Sequence, residues 1–123
     1  MKTDVSEIQE ILKSILKAQV PTLRVRKDEP TVLEMCGTKE VMQGKQKVDG
    51  YYFASIVPKP KDIRFYYFPI YTHVSEFSLS DDLQKALKGK SCFHIKKLSA
   101  KMEKEIDEMV KKGIEIYKKD DLI

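Results

Sequence analysis

The chain reads as an α+β domain: a central antiparallel sheet with an N-terminal helix, a short helix and a long C-terminal helix packed on it. Three observations predict this. Apolar residues recur at helical spacing at both ends of the sequence, and they alternate with polar ones through the middle. The 123 residues, 41% apolar and 34% charged, suit one core under a charged surface. A chain of this length buries roughly two-thirds of its unfolded surface, so it needs neither metal nor disulfide to be stable. No repeat or linker divides it, and residues 1–123 form one domain.

The first helix spans residues 4–18, with Val5, Ile8, Ile11, Leu12, Ile15 and Leu16 on one stripe. Asp4, Glu7 and Glu10 come early and Lys13 and Lys17 late, which complements the helix macrodipole. Leu23 and Val25 alternate with Arg24 and Arg26 in a half-buried strand, Asp28-Glu29-Pro30 turns, and Thr31–Cys36 pairs back. Gly37–Gly50 reads as short strands around a turn at Gly44. Asp49-Gly50 is a hairpin signal leading into Tyr51–Val57. Pro58–Asp62 turns the chain again, because two prolines cannot donate to a ladder. Ile63–Ile70 follows as the most apolar strand. Ser80 caps a short helix stopped by Gly89, Ser91–Ile95 is a brief strand, and Ser99 caps a helix running to about Lys118. On that last helix Met102, Ile106, Met109, Val110 and Tyr117 form a stripe. Gly113 lies on it, which predicts close approach to the sheet. Lys101/Glu105 and Lys104/Glu108 are expected as surface ion pairs.

Charge and cysteine content exclude several function classes. The formal charge is +4, from 23 basic and 19 acidic residues, and Arg24, Arg26 and Arg64 are the only arginines. Nucleic-acid readers lean on arginine, so a scattered lysine surplus points to solubility and not to nucleic acid. Lys39–Lys47 lacks interleaved aromatics and reads as a mobile loop. Cys36 and Cys92 lie far apart, with no zinc-finger spacing, as expected of reduced thiols. The segment MKTDVSEIQE has no apolar core of a secretory signal, and no run approaches the ~18 apolar residues of a membrane span. The expected location is the cytoplasm. No phosphate-binding glycine loop, GxSxG, HExxH or dinucleotide fingerprint is present, so recognisable enzyme chemistry is missing.

Two constellations carry the functional expectations. In Ile63–Tyr71 one face shows Ile63, Phe65, Tyr67 and Tyr71, and the other Arg64, Tyr66, Phe68 and Ile70. Helices on one side need only one apolar face. The second face is therefore either covered by chain that the pattern does not place, or an exposed aromatic platform for a ligand or partner. Cys92 and His94 share a face, opposite to Phe93 and Ile95. They are either a small buried hydrophobe beside a hydrogen-bonded histidine, the commoner arrangement, or a pair able to ligate metal or act as nucleophile and base. A closed metal site takes about four ligands, and His73 is the only other histidine. The acids of the first helix are expected as a solvated face.

A resemblance rests on Asp49–Tyr71 (DGYYFASIVPKPKDIRFYYFPIY) and Leu79–Ile95 (LSDDLQKALKGKSCFHI), followed by a long helix. Its carriers are Tyr52-Phe53-Ala54, Lys61-Asp-Ile-Arg-Phe65 and Gly89-Lys-Ser-Cys-Phe-His-Ile95. These resemble the YdhG-like family of small bacterial domains, which look distantly like frataxins and are largely of unknown function. Asp62 departs from the pattern, standing where many members have histidine. So does Lys96-Lys97 after Ile95, where a proline turn is common. Iron chaperones among the frataxin-like members make ferrous iron the metal that the resemblance implies.

Together these readings predict a small cytoplasmic binding or adaptor domain with no recognisable catalysis. Tyr66, Phe68, His73, Cys92 and His94 are expected to hold a small ligand, a metal or a protein segment. The alternatives are an enzyme with Cys92 as nucleophile and His94 or His73 as base, and a self-associating domain such as a homodimer.

Overall fold

Asp4 accepts the Glu7 backbone N–H at 3.2 Å and so caps helix α1, Val5–Lys17, whose stripe buries Ile8, Leu12 and Leu16. This computed structural model describes all residues, Met1–Ile123. Strands β1 (Arg24–Glu29) and β2 (Val32–Cys36) form a hairpin in which Glu29 pairs with Val32. The turn is thus tighter than expected, and Asp28 and Glu29 stay in the ladder. The Lys17 ammonium donates to Asp28 at 2.7 Å, tying β1 to α1.

Strands β3 (Val41–Gln43) and β4 (Gln46–Val48) make a separate ribbon around Gly44, as the sequence predicts. Its φ of 64° at the first position of a two-residue loop suits glycine. Asp49-Gly50 is not a hairpin turn, because β5 (Tyr52–Pro58) pairs with β2 and with β6 (Ile63–Tyr67), not with β4. Gly50 serves close packing instead: a Cβ there would lie 2.8 Å from Cys36 Sγ and collide with the Gly37 carbonyl.

The main sheet is completed by β7 (Leu87–Lys88) and β8 (Cys92–Ile95), in the order β1-β2-β5-β6-β8-β7 with every neighbour antiparallel. Strand β6 ends at Tyr67, three residues earlier than expected. Pro69 has no N–H for a ladder and opens a single helical turn, α2, Pro69–Thr72. Ile70 consequently enters the core, while Tyr71 is 48% exposed, the reverse of the alternation expected for a continuing strand.

A bulge in β5 decides which side chains face where. Met35 pairs with Ala54 and Cys36 with Tyr52, so Phe53 is an extra residue. Phe53 is fully buried, with its ring edge-on to Tyr67 and Tyr117, whereas Tyr52 reaches the Ser55 hydroxyl at 2.6 Å.

Helix α3 (Asp81–Ala86) is capped by Ser80, and α4 (Ala100–Lys119) by Ser99. The α4 stripe matches the sequence reading. Gly113 lies against the Tyr67 and Phe53 rings, the Tyr67 hydroxyl donates to the Met109 carbonyl, and the Tyr117 hydroxyl donates to the Tyr52 backbone carbonyl at 2.7 Å. The expected ion pairs of Glu105 and Glu108 do not form. Glu105 accepts the Ser80 backbone N–H at 2.9 Å and the Ser80 hydroxyl, and Lys111 pairs with Asp107 at 3.0 Å. Both long helices cover the sheet face carrying Ile63, Phe65 and Tyr67, and the core lies between. No helix is long and apolar enough to cross a membrane.

Candidate functional site

The second face of the sheet is built by strand alternation. On β6, Ile63, Phe65 and Tyr67 turn to the core, which leaves Arg64 and Tyr66 on the other side. The register sets Arg64 opposite His94 and Tyr66 opposite Cys92, while β5 brings Ser55 opposite Tyr66 and Val57 opposite Arg64. Lys88 pairs with Cys92 at the edge. Ser55 is nearly closed off by its neighbours, and Arg64, Tyr66, Cys92 and His94 are half-buried. The aromatic segment therefore has one sealed face and one that opens to solvent through a mixed polar and aromatic row.

Phe68 leaves the strand but keeps its ring at this face, 5.5 Å from that of Tyr52 and 5.7 Å from that of Tyr71. Tyr66, Phe68, Cys92 and His94 thus belong to one surface. His73 does not. The turn at Pro69 carries it to the C-terminal end of α4, where Nε2 is 2.6 Å from Asp120 Oδ2 and Nδ1 is 2.8 Å from the Thr72 hydroxyl.

The electrostatics favour neutral groups. Burial raises the Cys92 thiol above its ordinary pKa, and the Tyr66 hydroxyl and Arg64 only partly oppose this. Burial likewise raises Tyr66, with Cys92 adding to the effect. Tyr52 is pushed up to about 12, first by burial, with its hydrogen bond to Ser55 acting in the opposite sense. A thiol raised in this way is a poor nucleophile near neutral pH. The His94 ring makes no hydrogen bond to Cys92, and its nearest carboxylate, Asp62, is 4.0 Å away. The nucleophile–base arrangement lacks both an activated sulfur and an oriented base.

Iron does not fit these residues. No three His, Cys, Asp or Glu side chains converge anywhere in the molecule. The first-helix acids are dispersed, Asp4 being occupied as a cap.

Sequence reading missed the residues that adjoin this face at the far end of β6 and β8. Asp62 and Arg64, two apart across the strand start, form a hydrogen bond from Arg64 Nε to Asp62 Oδ1 at 2.8 Å. They open onto a cavity of about 460 Å³ that His94 also lines, with Lys88, Lys96 and Lys97 around it. The signal was the acid–base spacing in Asp62-Ile63-Arg64. What it meant needed the cross-strand register. No protein-family model matches the chain, and no curated protein or solved structure matches it.

Proposed function

We propose that the chain is a non-catalytic binding domain that holds a small organic ligand against the second face of its sheet. Tyr66 is the platform, with Cys92 beside it, Phe68 at one end and His94 and Arg64 at the other. One observation carries this reading: the cross-strand row Ser55–Tyr66–Cys92 and Val57–Arg64–His94 lies opposite the face that both long helices cover. Tyrosine suits such a surface because it offers an apolar ring and a polar tip. A cytoplasmic setting goes with the proposal, since Cys36 and Cys92 are both free thiols. So does membership of the YdhG-like family, without its iron chemistry.

The reading is tested by amide-NMR titration with a set of small aromatic carboxylates. Binders are expected to shift residues 52–57, 64–68 and 88–95 together, and Tyr66→Ala is expected to weaken them up to about tenfold, the ~0.5–1.5 kcal/mol of an aromatic contact. A fragment set that leaves those residues unmoved overturns it.

A further inference from the structure

The cavity beside the sheet face holds most of the chain's charge imbalance. Arg64, Lys85, Lys88, Lys96 and Lys97 line it against only Asp62 and Asp82, a surplus of three positive charges in a molecule whose formal total is +4. None of the four lysines has a carboxylate within ion-pair distance. A concave site with a surplus of one sign of charge focuses the field on whatever enters it.

Arg64 is prepared within that field. Its Nε is held by Asp62, whose side chain is only 7% exposed, and neither terminal amino group makes a hydrogen bond within the chain. A guanidinium fixed at Nε offers its remaining donors as a fork matching two oxygens of one oxyanion. The volume falls within the roughly 300–1,000 Å³ of small-molecule sites. Ala86, Ile95 and Met102 supply apolar wall for a carbon skeleton.

We propose that this cavity binds the phosphate end of a phosphorylated small molecule, a pyrophosphate or a phosphate monoester. Arg64 grips the oxyanion bidentately, and Lys88, Lys96 and Lys97 supply the surrounding charge. A compact group bearing two or three negative charges balances the surplus, whereas a single carboxylate leaves most of it uncompensated. The inference deepens the proposed function and rests on it for the ligand's organic part, which would extend from the cavity mouth onto Tyr66.

The test titrates the full chain with pyrophosphate, adenosine monophosphate and citrate at constant ionic strength, by calorimetry and amide NMR. The proposal expects saturable binding of the two phosphates, with shifts at the Arg64 Nε–H and in residues 85–88 and 94–97. The variant carrying Lys88→Glu and Lys96→Glu, both exposed positions, is expected to keep its melting temperature and lose at least tenfold in affinity. Non-saturable responses, citrate binding as tightly as pyrophosphate, or unchanged affinity in the variant would each overturn it. If pyrophosphate and the nucleotide shift only the cavity residues, the phosphate site stands and the sheet-face reading fails. If the nucleotide shifts Tyr66 and Cys92 but is indifferent to the lysine changes, the phosphate site fails and the sheet face stands.

Discussion

Gly113 sits where α4 meets the sheet, and a methyl group there would run into the Tyr67 ring and hydroxyl and lie 3.1 Å from Phe53 Cε1. Alanine improves helix propensity by about 1 kcal/mol, but overpacking costs about 1–3 kcal/mol, and displacing the buried Tyr67 hydroxyl from the Met109 carbonyl adds about 1–3 kcal/mol. Packing outweighs propensity. Gly113→Ala is therefore expected to lower stability by about 1–5 kcal/mol in urea unfolding; a stabilised variant would show that the ring is free to move aside. The glycine's role was legible in the sequence because it interrupts an apolar stripe. The role of Arg64 was not, since its value comes from a buried carboxylate two residues back and a histidine on another strand.

At the scale of elements, Ser80 does two jobs. Its hydroxyl accepts the Leu83 N–H at the start of α3 and donates to Glu105 of α4, so one side chain fixes the short helix that walls the cavity. Ser80→Ala is expected to cost about 1–2 kcal/mol, by loss of a cap and of a charge-assisted bond. Hydrogen exchange should be faster across residues 81–86 than in β6, and uniform protection would deny the link. Alternation over Ile63–Tyr67 and Cys92–Ile95 correctly put Tyr66, Cys92 and His94 on one face, because a period of two leaves no choice once one face is buried. The same logic misplaced Ile70 and Tyr71, as the strand stops before Pro69. It also could not foresee the Phe53 bulge, which only cross-strand register reveals. His73 was grouped with the site as the only other histidine, and the turn at α2 removes it.

For the whole molecule, the aromatic core makes stability fall in alkali. Burial raises Tyr67 and Tyr117 far above the ordinary tyrosine value, and Tyr52 up to about 12. Between the unfolded and folded pKa values the native state binds more protons than the unfolded one, so its stability is complete below about pH 10 and declines as pH rises beyond. Each such tyrosine contributes a slope of up to about 1.4 kcal/mol per pH unit. The urea midpoint is expected to drop steeply above about pH 10, and less steeply in Tyr67→Phe; equal slopes would mean that Tyr67 ionises as freely folded as unfolded.

The central claim is that one face of the sheet is sealed by helices while the other meets solvent. Relaxation of side-chain NMR signals by a neutral, soluble gadolinium chelate measures this difference directly. The fold described here predicts strong broadening of Tyr66 and His94 and little of Tyr67 and Phe93, their neighbours on the same two strands. Equal protection of all four would mean that the second face is covered, and the binding surface would be gone.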